Sequence, residues 1–231
     1  MLLAAARPCT ADTAIGVQAL ALSGHHYDPG NNLNGSGAGA LFEITQRWKA
    51  VRIYVEGIPV VDTAHTVSPR YGPLTQSFGL FNAVASARLD RGGHFWAGIG
   101  SGILAQRTPF LNYPFNGWDQ VNASRLAGAR YELQTFWPSR GPTFWDLSLA
   151  GVPRMHGTDY LTVNFPGGVI HRSEGETAAL TDIAADYGIR HGRFEYSLGL
   201  RWINFSANFV TGRAADRNVG AGPTLKVLWI I

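Results

Sequence analysis

The chain has 231 residues, a formal net charge of +3 and a sequence pI near 9.2. Only 15% of its residues are charged, against about 25% in soluble domains, while 12% are aromatic and 28 residues are glycine. Mean hydropathy is −0.03 and no apolar run approaches the ~20 residues of a membrane helix, which excludes a helical membrane protein. The basic residues are scattered, which excludes a nucleic-acid-binding stripe.

Residues 1–11 come first, with Cys9 and Ala11 as small residues before a possible cleavage point. They read as the remnant of a secretory signal peptide or as a disordered terminus. Cys9 is the single cysteine, so no internal disulfide forms. From residue 12 to 231 the chain reads as one domain of alternating strands. The spans expected are Thr13–Gly24, Ala40–Trp48, Ala50–Val61, Gln76–Asp90, Gly93–Ala105, Val121–Trp137, Thr143–Gly151, Thr177–Arg190, Gly192–Ala207 and Val219–Ile231. That makes about ten strands. Eight is the alternative, because Tyr160, Thr162 and Asn164 either extend the seventh strand or sit in its loop. Short turns are expected at Arg47–Lys49, Asp90–Gly93, Ser139–Pro142 and Arg190–Arg193. Long loops rich in Gly, Pro and Asn are expected at His25–Gly39, Asp62–Thr75, Gln106–Gln120, Val152–Glu174 and Asn208–Asn218.

The ninth strand shows the pattern most clearly. Phe194, Tyr196, Leu198, Leu200 and Trp202 fall on one face, and Glu195, Ser197, Gly199 and Arg201 on the other. After Trp202 the apolar residues Ile203, Phe205, Ala207 and Phe209 take the other parity, which suggests a bulge. One face of the strand set is free of charge. It includes Ile15, Val17, Ile44, Ile53, Phe81, Ile99, Leu133, Leu149, Ile183 and Leu225. The opposite face carries Glu43, Arg47, Arg52, Glu56, Arg88, Arg130, Glu132, Asp146, Asp182, Asp186, Arg190, Glu195, Arg201 and Lys226, seven acids and seven bases. Such balance suits a narrow interior in which every buried charge needs a partner. The chain therefore reads as inside out: lipid outside and a polar lumen. A soluble barrel with these charges outside would need every strand to bury a fully apolar interior of unusual aromatic load. Trp48, Phe95, Trp96, Phe136, Trp137, Phe144, Trp145, Phe194 and Trp229 cluster at the turn ends, as an interfacial girdle would.

The segment Gly222–Ile231 resembles the C-terminal strand that the outer-membrane assembly machinery recognises, with Ile231 where that signal carries Phe or Trp. Taken whole, the chain resembles the bacterial outer-membrane β-barrel superfamily. The resemblance implies an all-β fold, a single antiparallel up-and-down transmembrane barrel with short periplasmic turns and long extracellular loops. It also implies a bacterial outer-membrane location, outer-membrane lipid and lipopolysaccharide as surroundings, the assembly machinery as partner, and a monomer.

Motifs that carry chemistry are sparse. Gly98, Gly100 and Gly102 alternate with apolar residues inside a strand, so they make room in a lumen rather than cradle a nucleotide. His171 and Ser173, with Glu174 and Glu176 nearby, form the best catalytic candidate. They resemble in outline the His-x-Ser pair and Glu of the outer-membrane lipid A deacylases, although the pair follows Pro166-Gly-Gly168 in an expected loop. An omptin-like protease needs Asp and His pairs at the rim, and Asp62, His65, His156 and Asp159 are available in type. His25 and His26 are adjacent and point apart on a strand, so no metal site is expected; no cofactor and no nucleic acid is implied. The aromatic loop from Arg107 to Trp118 either packs on the barrel mouth or grips a ligand. The expected function is a non-enzymatic barrel that displays loops or stabilises the envelope, with a lumen charge network of Arg52, Glu56, Arg130, Glu132, Asp182, Asp186, Arg190, Glu195 and Arg201. The alternatives are a barrel-rim hydrolase acting on lipid A or peptide, and a narrow pore for small solutes.

Overall fold

Beside lipid no water satisfies an open sheet edge, so a set of alternating strands can only be stable there if the sheet closes on itself. The computed structural model describes residues 12–28, 31–66, 74–113, 118–139, 141–211 and 214–231, and it is a closed barrel. Its strands are β1 (Asp12–Asp28), β2 (Asn31–Arg47), β3 (Val51–Thr66), β4 (Leu74–Arg88), β5 (Phe95–Tyr113), β6 (Trp118–Pro138), β7 (Thr143–Phe165), β8 (Gly168–His191), β9 (Phe194–Phe209) and β10 (Ala214–Ile230). Each pairs antiparallel with its sequence neighbours. β10 returns to β1 through Ile15↔Trp229 and Val17↔Val227. The strand order is the up-and-down meander, with ten strands rather than eight.

The short turns gather at one end. Three of them need a left-handed residue, and Gly93 (φ 77°), Gly141 (φ 71°) and Gly192 (φ 61°) supply it without a Cβ clash. Main-chain bonds close these ends, including Leu89 N to Phe95 O at 2.8 Å and Trp48 N to Val51 O at 2.8 Å. The opposite end differs from expectation. The long excursions there are paired strand over much of their length rather than irregular loop: β7 and β8 continue as a ladder up to Phe165↔Gly168, across Pro166-Gly167. The segment Asp159–Phe165 therefore belongs to the seventh strand, and His171 and Ser173 lie on β8 and not in a loop. A strand needs only about 9–11 residues to cross a bilayer. With strands of 15 to 24 residues, the barrel stands well clear of the membrane on the extracellular side.

The expected lipid face is the outer face throughout. Ile15, Phe42, Ile53, Phe81, Ile99, Leu133, Leu149, Ile183, Leu198 and Leu225 are all exposed. Of the expected girdle, Trp48, Phe95, Trp137, Trp145, Phe194 and Trp229 are exposed, whereas Trp96 and Phe144 are buried. Phe144 stacks with Phe136 inside the barrel at 5.0 Å. Strand parity, not nearness to a turn, decides which aromatic meets lipid.

The expected bulge after Trp202 is absent. β9 keeps unbroken register with β8 from Glu176↔Phe209 to His191↔Phe194, and with β10 from Arg217↔Ser206 to Trp229↔Phe194. The inward set runs Ser197, Arg201, Ile203, Phe205, Ala207 without a change of phase. What changes is the chemistry of the interior. A bulge does occur in β7, where Val152 and Met155 face two residues of β8 across three, and Pro153 occupies it. The N-terminal segment 1–11 with Cys9 lies outside the described residues.

Candidate functional site

The lumen has three levels. At the periplasmic end a cavity of about 300 Å³ opens between Glu43, Arg47, Trp96, Phe136, Glu195 and Lys226. Above it the charged side chains leave about 60 Å³. Above those, an apolar layer leaves about 30 Å³.

Six of the expected network residues meet in the middle level. Arg201 lies against Asp182, Nε to Oδ1 at 2.9 Å and Nη2 to Oδ2 at 2.6 Å, and reaches Glu56 at 3.4 Å. Arg130 donates to Asp182 at 3.1 Å and lies 3.6 Å from Glu56 and 3.8 Å from Glu132. Arg52 pairs with Glu132 at 3.2 Å. All six are buried, Arg130 and Asp182 to 2% exposure. Three guanidinium groups thus face three carboxylates, which leaves no net charge in a space where an unpaired ion would be prohibitive.

Neutral residues complete the shell. The Tyr54 hydroxyl donates to Glu132, Asn82 Nδ2 donates to Glu56 at 2.7 Å, and Gln134 accepts from Arg52 while donating to Asp146 at 2.6 and 2.8 Å. Sequence reasoning missed Tyr54, Asn82 and Gln134 because it sorted the lumen by charge. Their parity was the available signal, since each lies on the inward face of its strand. Glycine makes the space. A Cβ on Gly102 would stand 2.8 Å from Val152 Cγ2 and 3.2 Å from Asn82 Oδ1.

The other expected members lie apart. Arg190 pairs with Glu195 at the periplasmic mouth, where the Arg190 side chain is 47% exposed. Asp186 is held by Thr224 Oγ1 at 3.2 Å and makes no ion pair among the described residues. Lys226 and Glu43 form a further pair at 2.6 Å.

The apolar level closes the lumen. Leu20, Leu41, Ile58, Leu80, Leu104, Leu126, Val152, Leu180 and Ile203 come one from each of β1 to β9 and form one cluster. β10 contributes Gly220, where a Cβ would meet Leu22 at 3.5 Å, so the larger neighbour fills its place. A site of about 30 Å³ could hold a water by volume, but water needs two to four polar partners, and apart from His25 and Asn218 the side chains of these walls are aliphatic and aromatic.

The catalytic candidate does not assemble. Glu176 is buried and faces inward, while His171 and Ser173 have the opposite parity and point outward. His171 Nδ1 instead lies 3.2 Å from Thr162 Oγ1. Glu174 accepts from Thr211 at 2.9 Å. Among the described residues no group of three His, Cys, Asp or Glu side chains converges as metal ligands.

No protein-family model and no curated protein matches the chain. Among solved structures, the outer-membrane protease OmpT from Escherichia coli superposes with a TM-score of 0.61 at 10% identity, over 97% of this chain and 98% of that one. The fold is that of a bacterial outer-membrane β-barrel. Its uncharged, apolar belt runs around the outer face, as that fold requires beside lipid. Two further barrels align at TM-scores of 0.46. One is the β domain of the Bordetella autotransporter BrkA, at 13% identity over 94% of this chain and 98% of that one. The other is the translocator domain of the autotransporter NalP from Neisseria meningitidis, at 10% identity over 97% and 90%.

The omptin-like residues are not brought together on β7. Asp159 accepts from Ser124 at 3.1 Å on the inner face, and His156 is exposed on the outer one. The side chains of Asp62 and His65 lie outside the described residues, as do those of His26 and the tip of the aromatic loop.

Proposed function

We propose that this barrel is a sealed, non-enzymatic outer-membrane protein whose membrane part anchors a rigid extracellular β-extension for envelope structure or surface contact. The observation that carries this reading is the double closure of the lumen. An ion-pair network with matched charges lies beneath a layer to which nine strands each contribute an apolar side chain. Either level opposes ion passage, and the apolar one opposes it even when the charges are disturbed. The outer-face position of His171 and Ser173, away from Glu176, supports a role other than hydrolysis at that site.

The test is conductance in planar bilayers. The wild type should show no steady ion current, and neither should Arg201→Ala, because the apolar layer remains. Steady conductance in the wild type, with selectivity altered by Arg201→Ala, would replace this reading with the narrow pore.

A further inference from the structure

At the upper border of the lipid belt, on the outer wall formed by β5, β6 and β7, stand three exposed arginines: Arg107 and Arg125 just above it and Arg154 at its top. Register places them together. Arg125 on β6 is opposite Ala105 on β5, and Arg107 on β5 is opposite Ala123 on β6, so the two arginines are diagonal neighbours. Diagonal pairs lie roughly 7–8 Å apart at Cα, within reach of long side chains. Arg125 is also opposite Thr158 on β7, one outward position above His156, while Arg154 sits in the β7 bulge just below it.

The height of this cluster follows from the strands. The uncharged outward run extends from Phe95 to Ala105 on β5 and from Trp137 to Ala127 on β6. At a rise of ~3.4 Å per residue and a tilt near 40°, either run covers about 26 Å along the bilayer normal, close to the ~25 Å apolar band of such barrels. Arg107 and Arg125 are the next outward residues. They stand where the hydrocarbon ends and the headgroups of the outer leaflet begin.

Two further facts separate this cluster from ordinary surface charge. None of the three arginines has an ion-pair partner among the described residues, and Asp159, on β7 beside Arg125, is turned inward and accepts from Ser124. The charge is also clustered. At the same border most other strands present uncharged groups, such as Ser23, Ser36, Ser77, Thr181 and Asn204, and Arg217 on β10, across the barrel, has no second arginine beside it among the described residues.

We infer that Arg107, Arg125 and Arg154 form a binding site for the phosphate groups of a phosphorylated glycolipid of the outer leaflet, whose acyl chains lie along the apolar wall of β5 to β7 beneath it. Guanidinium groups pair with phosphate in a planar, two-pronged fashion. The acyl chains would meet Ile99, Ile103, Tyr131 and Leu133, all exposed on that wall. The site is independent of whether the lumen conducts.

The experiment is native mass spectrometry of the purified full chain in a neutral detergent, with added bis-phosphorylated lipid A. The wild type should retain the lipid. Arg107→Gln/Arg125→Gln/Arg154→Gln together should weaken retention at least tenfold, and each single change severalfold. Lipid A stripped of its phosphates should bind the wild type as weakly as the intact lipid binds the triple variant. Arg217→Gln, on the outer face of β10, should change nothing. Folding of every variant is checked by the mobility shift between unheated and boiled samples, and the single variants carry the test if the triple one does not fold. Equal retention by the folded arginine variants, or equal binding of dephosphorylated lipid A, overturns the inference. So does full competition by phosphatidylglycerol or by millimolar inorganic phosphate, which would reduce the site to general anion attraction.

Discussion

Removing Arg201 tests the lumen network most directly. Its guanidinium makes two bonds to Asp182, at 2.9 and 2.6 Å, and lies 3.4 Å from Glu56. In Arg201→Ala three buried carboxylates would face two arginines. Breaking a buried pair in this way costs about 3–5 kcal/mol. Arg130 remains 3.1 Å from Asp182 and 3.6 Å from Glu56 and takes up part of the load, so the lower end, about 3 kcal/mol, is expected. Asp182→Ala leaves the opposite imbalance, three arginines to two carboxylates, and should cost at least as much. The double variant restores two against two. Its destabilisation should fall short of the sum of the single effects by about 1–3 kcal/mol, as expected for residues in one network. The assay is urea unfolding in detergent micelles followed by tryptophan fluorescence, with Trp96 close by: the Arg52 guanidinium lies 5.6 Å from its ring. Additive effects, or a single-variant cost well under 1 kcal/mol, would show that these charges do not act as a unit.

Other outcomes follow from the same geometry. Leu198 is 67% exposed on the lipid face, so Leu198→Arg should lower assembly yield through a cost of about 2–4 kcal/mol near mid-membrane. Asn208→Arg, on the same outward face but above the belt, should assemble normally; equal yields on heat-modifiability gels would refute the placement of the membrane. Asp90, in the β4–β5 turn, accepts from the Phe95 main-chain N–H at 2.8 Å, and this bond holds its carboxyl below the usual range. A depressed folded value means that the contribution of Asp90 to the turn is present above the unfolded pKa of about 3.9 and disappears as pH falls through the folded one. The Phe95 amide resonance should titrate below the ordinary aspartate range and stop titrating in Asp90→Ala. Gly192→Ala should destabilise the β8–β9 turn, where φ is 61°, by about 1 kcal/mol, and Gly192→Asn by less. Unfolding midpoints measure both.

Much of the barrel could be read from the sequence because period-two alternation is a local property. Ile183, Tyr187 and Ile189 on one face, and Asp182, Asp186 and Arg190 on the other, need no tertiary information to be sorted. The matched acids and bases likewise announce a shared interior. Which of them touch is not local. Arg201 meets Asp182 from the neighbouring strand, but it meets Glu56 from across the barrel. Asp186 shares a strand face with Asp182 and still ends on Thr224. The neutral partners were hidden for a related reason. Tyr54, Asn82 and Gln134 become network residues only because a carboxylate from another strand stands opposite each, and one-strand patterning carries no signal of that. The expected loops at Val152–Glu174 and Asn208–Asn218 misled in another way. Gly, Pro and Asn signal breaks, yet Pro153 was accommodated by a bulge and the ladder resumed beyond it.

The apparent slip in β9 marks the most general physical point. In the membrane the surroundings are apolar, so Leu198, Leu200 and Trp202 turn outward while Ser197 and Arg201 turn in. Above the membrane the surroundings are water, and the same ladder must carry the opposite arrangement: Asn204, Ser206 and Asn208 outward, Ile203, Phe205 and Ala207 inward. A one-residue bulge and a reversal of solvent produce the same pattern in the sequence, because either one moves the apolar residues to the other parity. Register distinguishes them, and here the register is unbroken. The chain is therefore inside out below Trp202 and the usual way round above it. The apolar layer that seals the lumen is the hydrophobic core of the extracellular extension, built where that extension first meets water. The seal and the rigidity of the extension have one cause. A charge introduced into that layer, such as Leu180→Asp, should loosen the extension, and only in combination with Arg201→Ala, which opens the charged level beneath, should it raise planar-bilayer conductance.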